Sequence, residues 1–120
     1  MELTGGCHCQ RVRFQVRVEG ALRAIDCNCS ICTMKGFVHL IVTREDFTLE
    51  QGEDALSEYR FNTGVARHLF CRVCGVHPFY VPRSHPDGID VNVRCLDRNP
   101  GFVVEAFNGR HWEEHVREIA

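Results

Sequence analysis

The sequence has no excess of positive charge, and only one of its cations is a lysine. Lys and Arg number 14 against 16 Asp and Glu, for a formal charge of −2 and an isoelectric point near 6.4. All the cations except Lys35 are Arg. A nucleic-acid backbone attracts proteins that carry a basic excess, so the composition argues against a nucleic-acid partner. Because Arg pairs well with carboxylates, a small acidic ligand remains compatible with the sequence.

The sequence also lacks long apolar stretches. No segment approaches the roughly 18 apolar residues of a membrane span, and the N-terminus has neither the basic nor the apolar region of a secretory signal. We therefore expect a cytoplasmic protein that has no membrane partner. In a reducing compartment, the 8 Cys of this chain are expected to be metal ligands or catalysts rather than a disulfide framework.

The length and the hydrophobic pattern predict one mainly β domain over residues 1–120. Apolar and polar residues alternate from Arg11 to Val18, which predicts a strand with one buried face. Further strands are predicted at Phe37–Val42, Ser57–Asn62, Arg67–Phe70, Phe79–Val81, Ile89–Cys95 and Val103–Phe107. Only the C-terminal end has helical spacing, with Asn108 as the cap and an apolar face of Trp112, Val116 and Ile119.

Seven of the 8 Cys fall into three clusters, Cys7-His-Cys9, Cys27-Asn-Cys29-Ser-Ile-Cys32 and Cys71-Arg-Val-Cys74. The last pair is followed by Gly75, an arrangement typical of a metal-binding turn. The first pair needs a bend, because two side chains two residues apart on a flat strand are distant for one ion. We expect Gly5 and Gly6 to supply that bend.

The cluster sizes predict how the ligands divide. A structural zinc takes four protein ligands, whereas a catalytic zinc keeps three and one open position. Only the two pairs add to four, so a closed structural zinc is expected at Cys7, Cys9, Cys71 and Cys74. An open, catalytic zinc that can accept a thiolate is then expected at Cys27, Cys29 and Cys32. The open site has one thiolate fewer, so we expect it to bind its metal less tightly and to be only partly occupied.

The cluster of three cysteines has two alternative interpretations besides an open zinc site. The remaining thiol, Cys95, also has two interpretations. A histidine, His39 or His77, can complete a second structural zinc, and an iron–sulfur cluster is a further option. Cys95 is either a small buried side chain or a reactive thiol activated by its neighbour Arg94.

The motifs resemble the family of glutathione-dependent formaldehyde-activating enzymes and centromere protein V. The resemblance is carried by Gly5-Gly-Cys-His-Cys9, Val12-Arg-Phe14, Cys27-Asn-Cys-Ser-Ile-Cys32 and Phe70-Cys-Arg-Val-Cys-Gly-Val76. Other segments are closer to the centromere protein V branch: Phe79-Tyr-Val-Pro-Arg-Ser84, Arg94-Cys-Leu-Asp97, and Phe107-Asn-Gly109 with Trp112. The resemblance implies a β-tent fold of antiparallel sheets around zinc, with the same division of the cysteines into a closed and an open site.

The activity that the resemblance implies is the joining of glutathione and formaldehyde to S-(hydroxymethyl)glutathione, a carbon–sulfur lyase reaction when written in reverse. We expect a zinc-dependent enzyme in which a small-molecule thiol such as glutathione enters the open site and adds to an aldehyde. Substrate contacts are expected from Asn28, Ser30, His39, Arg83 and Arg94. The alternative is a non-enzymatic zinc module that binds a protein partner.

Overall fold

A computed structural model describes residues 1–61 and 64–108, and within these ranges the chain is mainly β. The strands are β1 Glu2–Gly6, β2 Arg13–Arg17, β3 Arg23–Cys27, β4 Val38–Thr43, β5 Phe47–Gln51, β6 Leu56–Tyr59, β7 His68–Cys71, β8 Phe79–Tyr80, β9 Gly88–Asn92 and β10 Val103–Phe107. One α-helix, α1, spans Ser30–Lys35, and short 3-10 turns occupy Arg44–Asp46, Glu53–Ala55 and Val93–Cys95. No helix in the described part of the chain is long and apolar enough to cross a membrane.

The strands form three sheets. Their orders are β1-β2-β5, β10-β3-β4-β9-β8 and β6-β7. Every pair is antiparallel except β10 and β3, which run parallel so that Phe107 lies beside Cys27. The end of the last described strand therefore lies next to the first cysteine of the triplet.

The alternation in β2 produces the buried face that the sequence predicts. Val12, Phe14 and Val16 are all 0 % exposed, and the Phe14 ring stacks on that of Phe47 at 5.5 Å between centroids. Strand β2 is shorter than the predicted segment from Arg11 to Val18. Because successive side chains of a strand point to opposite faces, this alternation commits one face of β2 to the core.

The five-stranded sheet has one apolar and one polar face. Residues directly opposite each other in antiparallel strands share a face, and His39 lies opposite both Ile25 and Asn92. Asp90 lies opposite Tyr80, so these side chains and Cys27 stand on one side of the sheet. The other side enters the apolar core through Ala24, Val38, Leu40, Phe79, Ile89 and Val91.

Helix α1 was not predicted, and the expectation that only the C-terminal end is helical is wrong. Cys29 caps α1 because its sulfur accepts the backbone N–H of Cys32 at 3.4 Å. Gly36, at φ 65°, ends the helix with N–H bonds to the carbonyls of Cys32 and Thr33. The predicted C-terminal helix, beyond its cap at Asn108, lies outside the described residues.

Three strands were also missed, and two predicted strands end early. The missed strands are β1, β3 and β5. The predicted strand Ile89–Cys95 stops at Asn92, whose side-chain oxygen accepts the N–H of Arg94 at 3.1 Å and so starts a 3-10 turn. The predicted strand Ser57–Asn62 is observed only as β6, and Asn62 lies outside the described residues.

Gly5 and Gly6 do not supply the bend expected before Cys7. Both lie in β1, paired with β2, and the chain turns later, at Gln10, which has φ 69°. The two glycines are needed for close approach instead. A Cβ at Gly5 would lie 2.5 Å from the carbonyl oxygen of Cys95, and one at Gly6 would lie 2.1 Å from that of Val12.

Gly6→Ala is expected to lower the free energy of unfolding by about 3 kcal/mol, because the added methyl group meets backbone that cannot move aside easily. Gly20→Ala is the matched control, since Gly20 has open space around its Cβ position and only a positive φ of 75°. Gly20→Ala is expected to lower the free energy of unfolding by about 1 kcal/mol. Equilibrium urea unfolding measures both, and equal costs for the two variants would contradict the close-approach explanation.

Candidate metal centres

The first metal-binding candidate joins two distant turns. Cys7 and Cys9 follow β1, whereas Cys71 ends β7 and Cys74 lies in the turn after it. Their four sulfurs all lie within 4.8 Å of one another. The sulfur of Cys9 is 3.6 Å from that of Cys7 and 3.7 Å from that of Cys71.

Backbone geometry places these sulfurs. The turn after Cys7 is closed by the N–H of Gln10, which donates to the Cys7 carbonyl at 3.2 Å. The N–H of Val12 donates to the Cys7 sulfur at 3.3 Å. In the second turn Gly75 adopts φ 78° and donates its N–H to the Cys71 carbonyl at 2.7 Å. The backbone at Gly75 is in the left-handed region, which favours glycine. This explains why a Gly follows the C-x-x-C pair.

This set of four thiols has the spacing of a zinc–sulfur tetrahedron. With Zn–S bonds of about 2.3 Å, the edges of such a tetrahedron are about 3.8 Å, close to the two distances above. A disulfide would need about 2.05 Å. A backbone hydrogen bond from Arg11 lowers the pKa of Cys9 to about 6, while burial raises the pKa of Cys7 to about 11. The donors and their spacing fit a structural metal ion.

The second metal-binding candidate surrounds the start of α1. Cys27 ends β3, Cys29 caps the helix, and Cys32 lies in its first turn. Their three sulfurs also lie within 4.8 Å of one another. Hydrogen bonds from the thiols of Cys27 and Cys32 hold the pKa of Cys29 well below its usual value. Soft sulfur donors, one of them a ready thiolate, again fit zinc.

No histidine among residues 1–61 and 64–108 joins these three sulfurs. The sulfurs that lie close enough to share one ion belong to cysteines only, and no ring nitrogen of His39 or His77 is in that group. The structure therefore does not support the alternative in which His39 or His77 completes a closed site.

A cavity of about 610 Å³ adjoins the three-cysteine group. Cys27 and Cys32 lie on its wall, together with Asn28 and Arg94. Of the predicted substrate contacts, Ser30, His39 and Arg83 are not among the residues that line it. Cavities of this size accommodate small organic ligands, and this one brings two sulfurs, an amide and a guanidinium to one surface.

A buried polar pair stands on the same sheet face as Cys27. Nδ1 of His39 and Oδ2 of Asp90 are 2.6 Å apart, and the two side chains are 5 % and 1 % exposed. The Tyr80 hydroxyl lies 3.4 Å from the same nitrogen. Nε2 of His39 is buried and has no hydrogen-bond partner. A buried Asp between the apolar residues Ile89 and Val91 of β9 is the signal that could have revealed this pair in the sequence.

Lys35 also lies close to the second cluster. Its Nζ is 3.2 Å from Nδ1 of His68 and sits over the rings of Phe37 and Tyr80 at 4.5 and 4.3 Å from their centroids. Burial lowers the pKa of Lys35 and lowers that of His68 to about 4. Lys35 is the only lysine of the sequence, and its spacing to the cysteines predicts no role for it.

Cys95 does not have the properties of an activated thiol. Its S–H donates to the carbonyl of His77 at 3.7 Å, and burial raises its pKa to about 11. A reactive cysteine requires a lowered pKa, so the alternative of activation by Arg94 is not supported.

Comparison with a solved structure places this architecture among known folds. A crystal structure of a protein from Rhodobacter sphaeroides matches the chain with a TM-score of 0.76 and 34 % sequence identity. The match covers 85 % of this chain and 98 % of that protein.

The family comparison covers most of the sequence. The family described as glutathione-dependent formaldehyde-activating enzyme matches residues 2–111, which include both cysteine groups. The chain therefore belongs to the family of glutathione-dependent formaldehyde-activating enzymes.

Proposed function

We propose that the chain is a carbon–sulfur lyase-like enzyme that joins a small-molecule thiol such as glutathione to an aldehyde, and catalyses the reverse cleavage. One observation carries the proposal. The sulfurs of Cys27, Cys29 and Cys32 converge beside a cavity, and no fourth protein ligand from the described residues joins them. Three thiolates leave one position on a tetrahedral ion for a substrate thiol.

The two cysteine groups have different tasks in this proposal. Cys7, Cys9, Cys71 and Cys74 hold a structural zinc in a single domain of residues 1–120, and the other three hold the zinc of the active site. When bound there, zinc keeps an incoming thiol deprotonated at neutral pH. Because three protein thiolates would hold it, such an ion would be a weak Lewis acid and would position the thiol rather than activate water.

His39 is the proposed proton acceptor: it does not line the cavity, but it lies opposite Ile25 and therefore on the face of the sheet that carries Cys27. Asp90 accepts the Nδ1 proton at 2.6 Å, so the neutral ring presents the lone pair of Nε2, which has no other partner. Nε2 accepts the proton of the entering thiol and Asp90 stabilises the resulting imidazolium. When the C–S bond has formed, the same proton passes to the aldehyde oxygen, which becomes the hydroxyl of the product. This role replaces the oxyanion donor expected from the sequence.

The cavity supplies the contacts to the rest of the thiol. Arg94 can pair with a carboxylate of a glutathione-like ligand and Asn28 can bind its amide groups, since both line the cavity. The exposed guanidinium of Arg94 favours an acidic thiol over a neutral one.

Cys29→Ser is expected to abolish thiol–aldehyde activity while the domain remains folded, because the four-cysteine group is intact. Cys74→Ser is the matched control and is expected to unfold the domain, since it removes a ligand that joins two distant turns. Circular dichroism measures folding, and formation of the S-(hydroxymethyl) adduct from glutathione and formaldehyde measures activity. A folded Cys29→Ser variant with full activity would refute the proposal and favour a non-enzymatic zinc module.

His39→Gln is expected to lower kcat about 100-fold while the zinc content stays unchanged, because Gln offers no basic nitrogen to take the thiol proton. His85→Gln is the control, since His85 lies in a loop and bonds to Ser84. Steady-state kinetics with glutathione and formaldehyde distinguish the two variants. An equal kcat for both would exclude His39 as the proton acceptor.

A further inference from the structure

Lys35 is the only side-chain amine of the protein, and its placement is specific. The other 13 cations are Arg, which do not form imines under ordinary conditions. Lys35 is the last residue of α1, three residues after Cys32. Residues three apart in a helix lie on the same face, so the amine stands on the side of α1 that carries the active-site sulfur.

The amine is enclosed by three rings. Nζ lies 4.3 Å from the centroid of Tyr80, 4.5 Å from that of Phe37 and 3.2 Å from Nδ1 of His68. The His68 ring stacks on Tyr80 at 4.9 Å with an interplanar angle of 11°. Aromatic faces stabilise a cationic nitrogen, and a neutral imidazole nitrogen accepts a hydrogen bond from it.

These surroundings suit a lysine that reacts with carbonyl compounds. Partial burial lowers the pKa of Lys35, which increases the nucleophilic, uncharged fraction of the amine. The pKa of His68 is lowered to about 4, so its ring is uncharged at neutral pH and its Nδ1, 3.2 Å away, can hold the amine by a hydrogen bond.

We propose that Lys35 is a covalent binding site for small aldehydes, which it captures as an iminium ion inside the cage of Phe37, Tyr80 and His68. The amine nitrogen attacks the carbonyl carbon, forming a C–N bond while the π electron pair moves to oxygen. One proton passes from nitrogen to that oxygen, directly or through His68. The hydroxyl then leaves as water with the proton that the ammonium released to solvent before the attack, so that ammonium and aldehyde give iminium and water.

The iminium is as well matched to the cage as the ammonium it replaces. Both are cations held over the faces of Tyr80 and Phe37, with the carboxylate of Asp90 and the sulfurs of Cys29 and Cys32 as nearby negative charges. The captured carbon lies on the Cys32 side of α1, where the proposed thiol binds. The inference rests on the proposed function for its substrate class, whereas capture itself needs no thiol.

Reductive trapping tests this directly. The zinc-loaded protein is treated at pH 7 with formaldehyde in slight excess and with cyanoborohydride, which converts an iminium into a stable methylamine. The variant Met34→Lys carries an internal reference, because Met34 is the neighbouring residue and is 88 % exposed. Peptide mass spectrometry compares methylation at the two positions of the same molecule.

Methylation at Lys35 is expected to be several-fold faster than at position 34 in the folded protein, and the two rates are expected to become equal in urea. Equal rates in the folded protein, or slower methylation at Lys35, would overturn the inference. The assay contains no thiol and requires no turnover. A failure of capture is therefore distinguishable from a failure of the proposed function, which is read separately from adduct formation with glutathione.

Discussion

The register of β3, β4 and β9 determines both the core and the site. Because His39 pairs with Ile25 on one side and Asn92 on the other, its side chain stands on the polar face while Val38 and Leu40 enter the core. A shift of one residue would exchange the two faces and bury the polar groups against the core. Cys27, His39, Tyr80 and Asp90 therefore share one face of the sheet only while this register is kept.

The two cysteine groups relate to that sheet in different ways. The group of four connects the turn after β1 to the turn after β7 and packs against the apolar core, where Cys7 and Cys71 are buried. A domain of this size has a small core, so a metal cross-link there has a large effect on stability. The group of three lies at the end of β3, beside a cavity and the buried His39–Asp90 pair. The stabilising metal cross-link and the proposed catalytic site therefore use separate groups of cysteines.

Sequence reasoning succeeded where a feature is local. The alternation from Arg11 to Val18 predicts one strand, which is observed as β2, and the spacing of each cysteine cluster sets a single turn. It failed for α1, which has only six residues and depends on the Cys29 cap and on Gly36. It also missed Asp90 and Lys35, whose partners His39 and His68 are far away in sequence and are brought near only by strand pairing and helix placement. The polar face is a product of register, and register is invisible to periodicity alone.

The measurement that tests the account most directly is the number of zinc ions per chain, by elemental analysis of protein purified under reducing conditions, before and after dialysis against a mild chelator. The two cysteine groups predict two zinc ions, of which the chelator removes one while the circular dichroism spectrum stays unchanged, because three protein thiolates hold a metal less tightly than four. A protein without zinc, or one whose two ions resist the chelator equally, would contradict the assignment of an open metal site to Cys27, Cys29 and Cys32.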